Sequence, residues 1–327
     1  MDKLTFGIAV DLFIKDRKSE NLSPETLQFY RDKLRKLQQL LDKQGKSTYP
    51  QEISSKEIKE NGILYMMEEE ELQISTIHTY LRGWKAFFNF LVRDEYLSVS
   101  PFKKVKMPKF RRKIIQTFDE DQLVALLEQP KKNTFAGVRD YTLIMLFLET
   151  GVRVREMSEI KVSDINWERN SITVRGKGDK ERFVYFQEKM RQLLLQYLQF
   201  RSNSHTPELF ITTHDEAPLC RREIQHRLNH YGKMAGITGV RVSPHTLRHT
   251  FARMSVKNKA GLFALQSMLG HSTLNQVLTY VNLFSDEIKN EHKKFSPLQN
   301  FGQDNNHDIN ILPFKQRDRK DNNTYLA

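Results

Sequence analysis

The sequence predicts a mainly α protein made of two helical domains, the second interrupted by a β-hairpin. Three observations lead there. Apolar residues recur at helical spacing through most of the 327 residues. One stretch, "SITVRGKGDKERFVYF", instead alternates apolar and polar residues around a Gly-rich turn. A third, "SPFKKVKMPKFRRK", spans Ser100 to Lys113 and carries Pro101 and Pro108, which discourage a continuous helix. Between 103 and 113 it has seven basic residues and no acid, the composition of a linker. The divisions read from these signals are a helical domain over 1–102, a basic linker over 103–116, a second domain over 117–297 and a polar, disordered tail over 298–327.

The elements follow in order. "LSPETLQFYRDKLRKLQQLLDKQG" has Ser23 as cap, Pro24 in the first turn and Gly45 as stop, with Leu27, Tyr30, Leu34, Leu37 and Leu41 on one face. "ISTIHTYLRGWKAFFNFLVRDEYL" repeats the pattern with Ile77, Leu81, Trp84, Phe88 and Leu91. Arg31, Lys33, Arg35, Arg82 and Lys85 fall on other faces, where they serve either as solvated surface or as contacts to a polyanion. "TFDEDQLVALLEQ" opens the second domain, with Thr117 and Glu120 spaced as a capping box. "GVRDYTLIMLFLETG" reads as a buried helix stopped by Gly151. After the hairpin comes "MRQLLLQYLQFRS", again helical, and from Arg221 the chain is expected to stay helical to about Lys294. No internal repeat is visible.

Composition narrows the function. A formal net charge of +12 and a pI near 9.5 favour a polyanionic partner, nucleic acid first. The longest apolar run, "YTLIMLFL", is far shorter than the roughly 20 residues a membrane span needs. The first residues, "MDKLTFGIAV", lack the basic start and apolar stretch of a secretory signal. A single cysteine, Cys220, excludes an internal disulfide and a cysteine-based zinc cluster and fits a reducing, cytoplasmic setting. No carboxylate cluster for Mg²⁺ and no Walker lysine motif is apparent, so neither metal nor cofactor is expected.

Four stretches of the second domain carry chemistry. "SPHTLRHTF" places Ser243 as N-cap, Pro244 at the first helical position and His245, Arg248 and His249 on one face of the following helix. Side chains of this kind near a helix N-terminus suit an anion. "TGVRVRE" sets Arg153 and Glu156 after the Gly151 stop, "RGKGDKER" sets Lys177 in the hairpin turn, and "MLGHSTLNQVLTYVN" contains His271 and Tyr280. In this order and combination the four resemble the tyrosine recombinase, or phage integrase, family, over nearly the whole chain. The absence of a further domain ahead of the first helices favours a compact Xer-like or transposon-encoded type.

The resemblance implies a helical core-binding domain followed by a mainly α catalytic domain with a small antiparallel β-sheet. It implies that Arg153 and Arg248 clamp the scissile phosphate, that Lys177 is the hairpin lysine, and that His245 and His271 are the two active-site histidines. Tyr280 would be the nucleophile and Glu156 the support of the first arginine, while His249 matches a common residue of undefined role. The chemistry asks for the same types. A phenol is a weak nucleophile at neutral pH, charge spreads over the non-bridging oxygens during attack, and the leaving 5′ oxygen needs a proton. Two guanidiniums supply bidentate donors that stay charged. A phosphotyrosyl ester conserves the energy of the broken bond, so strands rejoin without ATP.

The expected reaction is site-specific DNA cleavage and rejoining for integration, excision or resolution. The expected partners are double-stranded DNA and other protomers in a tetramer on DNA, with accessory DNA-bending proteins or a partner recombinase as further candidates and no membrane. Lys103, Lys104, Lys106, Lys109, Arg111, Arg112 and Lys113 are the linker's candidate phosphate contacts; the alternative is that they only keep it soluble. "SDEIKNEHKKF", after Tyr280, packs either on a neighbouring protomer or in cis. Two other readings share the residues: a type IB topoisomerase-like enzyme that rejoins the same strand, and a non-catalytic DNA-binding relative.

Overall fold

The computed structural model describes residues 4–109, 115–176, 180–201 and 204–270, with 273, 274 and 278. The chain divides into two units, Met1–Lys113 and Ile114–Ala327.

The first unit contains α1 (Phe6–Ser19), α2 (Pro24–Lys43), α3 (Ser55–Glu57), α4 (Tyr65–Glu68) and α5 (Ile74–Arg93). A π-helical turn, Ile58–Leu64, joins α3 to α4. Ser23 accepts the Thr26 N–H at the start of α2, and Gly45, with φ +62°, follows its end. The apolar stripes read from the sequence form the core: Leu34, Leu37 and Leu41 of α2 are buried with Ile77, Leu81, Trp84, Phe88 and Leu91 of α5. Each such side chain contributes roughly 1.5–3 kcal/mol by leaving water. The two helices approach closely at Gly83, where a Cβ would lie 2.8 Å from Lys33 Cβ. Lys33 therefore does not behave as its basic neighbours do. Its stem is packed and its ammonium lies 4.5 Å from the Tyr80 ring centroid, whereas Arg31, Arg35, Arg82 and Lys85 are exposed.

The described part of the basic segment is tethered to this unit. Pro101–Lys104 forms a 3-10 turn, and Phe102 is buried against Phe88. Ser55 Oγ donates to Pro101 O at 2.5 Å, and His78 Nε2 lies 2.5 Å from Pro108 O. Lys103, Lys104, Lys106 and Lys109 remain exposed. Arg111, Arg112 and Lys113 lie outside the described residues.

The second unit contains α6 (Glu120–Glu128), α7 (Phe135–Thr150), α8 (Val154–Glu159), β1 (Ile165–Asn166), β2 (Ser171–Arg175), β3 (Glu181–Tyr185), α9 (Glu188–Arg201), α10 (Arg221–Met234), α11 (Pro244–Lys257) and α12 (Leu262–Leu269). The hairpin gains a short third strand. The antiparallel order is β1-β2-β3, with Ile172 opposite Val184 and Val174 opposite Arg182. Apolar α7 packs against α9 and α11 and contributes Leu143, Ile144, Leu146 and Phe147 to the core. No helix among the described residues is long and apolar enough to cross a membrane.

Two local expectations change. Asp119, not Thr117, caps α6: its carboxylate accepts the Gln122 N–H at 2.8 Å, and Gln122 Oε1 accepts the Asp119 N–H. Burial of Phe118, whose N–H donates to Thr250 Oγ1, keeps the chain extended past Thr117, and Thr117 Oγ1 accepts from Arg253 instead. The helical run from Arg221 also breaks after Met234, where Gly236 and Gly239 take φ +62° and +78°. Residues beyond 278, including the tail, lie outside the described residues.

Candidate active site

Three helix ends and one strand build the site. The first is the end of α7. Gly151 takes φ +61°, its N–H donates to Phe147 O at 2.9 Å, and a Cβ there would stand 2.2 Å from the Phe251 ring. Only glycine lets the end of α7 turn while touching α11. Arg153 follows as the N-cap residue of α8. Its main-chain N–H donates to Glu156 Oε2 at 2.7 Å, and its Nη1 donates to Glu156 Oε1 at 2.9 Å.

The second is the start of α11. Ser243 Oγ accepts the Thr246 N–H at 3.1 Å and Pro244 occupies the first turn, as the sequence requires. His245, Arg248 and His249 then share a face. Arg248 is 4% exposed, and its Nη1 donates to Gly151 O at 2.6 Å.

The third is the end of α12, where Gly270 takes φ +60°. A helix leaves its last carbonyls without internal partners, and its dipole makes that end attractive to cations. Three guanidiniums meet three consecutive carbonyls here. Arg182 Nε donates to Met268 O at 2.9 Å, Arg248 Nη2 to Leu269 O at 2.6 Å, and Arg153 Nη2 to Gly270 O at 2.9 Å. Arg153, Arg182 and Arg248 come from α8, β3 and α11, so their convergence is a product of tertiary structure.

The titrating groups respond to this setting. Burial pushes the Glu156 carboxyl up, but hydrogen bonds from Arg182 and from the Arg153 N–H, with the Arg182 charge, outweigh it and hold the group below the ordinary carboxylate value. His245 keeps an exposed edge. Loss of water around the rest of its ring, then the charges of Arg248, Arg241 and Arg153, lowers its pKa. His249 is half-buried and falls to about 4, through desolvation first and then His245 and Arg248. Both imidazoles are thus neutral at pH 7.

The structure therefore brings together Arg153, Glu156, His245, Arg248 and His249. Lys177, His271 and Tyr280 lie outside the described residues; in the chain, Lys177 falls between β2 and β3, and His271 follows Gly270 directly. The motifs of the sequence do not single out Arg182. A signal for it exists, since strand alternation places it on the side of buried Val184, opposite exposed Phe183 and Tyr185. Among the described residues, no three His, Cys, Asp or Glu side chains cluster as metal ligands.

Comparison with known proteins bears on most of the chain, residues 6–107 and 116–287. Residues 116–287 match the Phage integrase family, and residues 6–107 match the Phage integrase SAM-like domain. Tyrosine recombinase XerD of Staphylococcus haemolyticus (strain JCSC1435) is 30% identical over 283 residues, covering 85% of this chain and 94% of that protein. Tyrosine recombinase XerC of Oceanobacillus iheyensis is 30% identical over 299 residues, covering 89% of this chain and 96% of that protein. The Tn1549 transposon integrase, solved in complex with transposon right end DNA, shares the fold with a TM-score of 0.71 at 18% identity, covering 88% of this chain and 99% of that one. The chain belongs to the phage integrase family of tyrosine recombinases. Membership assigns DNA recombination and tyrosine-recombinase catalysis at the level of the family.

Proposed function

We propose that this chain is a site-specific DNA recombinase that cuts one strand by forming a 3′-phosphotyrosyl ester at Tyr280 and passes that strand to a new 5′ end. The observation that carries the reading is the convergence of Arg153 and Arg248 at the end of α12, immediately before His271 in the chain. Guanidiniums held by backbone carbonyls are preorganised, and preorganised donors stabilise the charge that develops on a phosphate in the transition state. Arg153 and Arg248 would each direct further N–H groups to the non-bridging oxygens, with His271 as an added donor.

In the forward step the Tyr280 oxygen bonds to phosphorus and the bond to the 5′ oxygen breaks. Neutral His245 is poised to take the phenolic proton, and Lys177 gives a proton to the leaving 5′ oxygen. Rejoining is the reverse: a 5′ hydroxyl attacks phosphorus and gives its proton to Lys177, while the bond to the Tyr280 oxygen breaks and that oxygen takes back the proton held by His245. No ATP enters, because the ester retains the energy of the cut bond. We place the reaction on duplex DNA within a tetramer that joins two sites, in the cytoplasm, with accessory proteins or a partner recombinase as optional members. The exposed lysines of the basic segment add sequence-independent phosphate contacts.

The test begins with duplexes selected for binding from a random-sequence library. A cleaved site is then offered a labelled acceptor strand with a free 5′ hydroxyl. Transfer of the cut strand to that acceptor is the expected result. Relaxation of supercoiled DNA without transfer to a new strand would replace this reading with nicking and closing, and binding without any cleavage would reduce the protein to a DNA-binding relative.

A further inference from the structure

Arg182 has no part in the chemistry above, yet its side chain is among the most constrained in the second unit. It is 14% exposed. Nη1 donates to Glu156 Oε1 and Nη2 to Glu156 Oε2, each at 2.8 Å, while Nε donates to Met268 O at 2.9 Å. One planar fork thus ties β3 to α8 and to the end of α12. Gly270 lies flat against it: a Cβ on Gly270 would stand 3.1 Å from Arg182 Cζ, in a backbone conformation that already favours glycine.

The acceptors are shared. Glu156 Oε1 receives both Arg182 Nη1 and Arg153 Nη1, and Oε2 receives both Arg182 Nη2 and the Arg153 main-chain N–H. Glu156 is 3% exposed, so it has little water to replace a lost partner. Arg182 thus helps to hold the Glu156 carboxylate, with the Arg153 N–H, and Glu156 helps to hold the Arg153 guanidinium, with the Gly270 carbonyl. Independently, Arg182 fixes the Met268 carbonyl, one residue before the Leu269 carbonyl that holds Arg248.

We propose that Arg182 is a positioning residue for the phosphate clamp, setting Arg153 through Glu156 and setting the end of α12 on which Arg153 and Arg248 both rest. The proposal depends on the reading that Arg153 neutralises the scissile phosphate. Arg182 is assigned no contact with the phosphate, because its fork faces Glu156 and its Nε the Met268 carbonyl. A lysine cannot replace it, because one ammonium cannot span Glu156 and Met268 together.

The test is single-turnover cleavage of a selected duplex with its cleavage position mapped, in two forms: a normal phosphodiester at that position, and a neutral methylphosphonate. The methylphosphonate lacks one negative oxygen, so a displaced arginine matters less on it. Each variant is compared with the unsubstituted protein on the same substrate. Arg182→Ala should be slowed about 10- to 100-fold on the phosphodiester, the scale of a misplaced catalytic group, and much less on the methylphosphonate. Arg153→Ala should show the same contrast, and adding Arg182→Ala to it should cost less than Arg182→Ala costs alone, the remainder passing through the end of α12 that holds Arg248. Arg182→Lys, which keeps a charge beside Glu156, supplies the comparison if the alanine variant does not fold; it should show the contrast at smaller amplitude.

Equal slowing of the Arg182 variants on both substrates, with Arg153→Ala still showing the contrast, would overturn the proposal and leave Arg182 as a stabilising ion pair. Equal slowing of Arg153→Ala on both substrates would instead overturn the phosphate-clamp reading, and Arg182 would lose its target with it.

Discussion

The two units bury different things. In the first, the buried side chains are aliphatic and aromatic, with Phe13 and Phe87 edge to face at 5.6 Å and Trp84 sending its N–H to Lys33 O. In the second, the interior also holds Arg139, Asp140, Glu156, Arg201 and Arg248. Asp140 lies 2% exposed on α7 and accepts from Arg139 Nε, from Arg227 of α10 and from the Tyr231 hydroxyl; burial and Asp140 push that phenol up to about 12. A core made only of apolar contacts is directionless and tolerates exchange of side chains of similar volume. A core threaded with charge requires each partner, because an unpaired buried ion is costly. The second unit accepts that constraint where it must hold guanidiniums in fixed directions.

That contrast breaks first under near-isosteric substitution. Asp140→Asn should destabilise the second unit by about 3–5 kcal/mol, since it leaves Arg139 and Arg227 without their counter-charge. Leu37→Met, an equally small change in the first unit, should cost less than about 1.5 kcal/mol. Denaturant unfolding of both variants measures the difference, and similar losses would erase the distinction between the two cores.

Within the clamp, burial should separate two residues with the same role. Arg153→Ala and Arg248→Ala should each slow cleavage by about 10² or more, as for loss of one preorganised donor. The Arg153 side chain is 38% exposed and Glu156 keeps both Arg182 bonds without it, so its loss should lower the melting temperature less than loss of Arg248 does. Arg248→Ala leaves the Gly151 and Leu269 carbonyls without that donor and should also cost about 1–3 kcal/mol of stability. Cleavage rates and melting curves on the same preparations decide it.

Legibility follows the same divide. The first unit is readable because its core repeats locally: Leu34, Leu37 and Leu41, then Ile77, Leu81 and Trp84, announce their faces by spacing alone. In the second unit the local signals were equally good, and Ser243 with Pro244, Gly151 and the hairpin stand where their chemistry requires. What the spacing did not reveal is pairing at a distance. Arg182 meets Glu156 and Met268, and Asp140 meets Arg227 and Tyr231, through tertiary contacts that no period encodes. The cap of α6 is ambiguous in the sequence for a related reason. Thr117 and Asp119 both satisfy capping chemistry, and the burial of Phe118 decides between them.

Acid should separate the units more gently. His249, at about 4, lies below its ordinary 6.5, so the unfolded chain binds the proton first as pH falls. The stability from its neutral form is complete above about pH 6.5 and erodes toward pH 4, with a loss at pH 5 of about 1 kcal/mol once the solvated part of the ring is allowed for. His245 shifts in the same direction, whereas the Glu156 carboxyl is held below its ordinary value and so does not add to the loss between pH 7 and pH 5. Melting of the full chain at pH 7 and pH 5 should show a drop that His249→Gln reduces; an unchanged drop would assign the effect elsewhere.

The smallest expected effect lies on the first unit's surface. Lys104→Gln with Lys109→Gln should weaken binding to specific and random duplexes alike, without changing base preference. The slope of log affinity against log salt should fall by about 2. An unchanged slope would show that these exposed lysines only keep the segment soluble.

The central claim, that this chain breaks DNA through its own tyrosine, is tested most directly by isolating the protein–DNA adduct and identifying the linked residue. A selected duplex whose 5′ bridging oxygen is replaced by sulfur should trap the ester, because the released thiol is a poor nucleophile toward phosphorus. Proteolysis and mass spectrometry should then find a 3′-phosphate on the peptide containing Tyr280, and Tyr280→Phe should bind the duplex with no adduct. An adduct on another residue, or one formed at the normal level by Tyr280→Phe, would contradict the account.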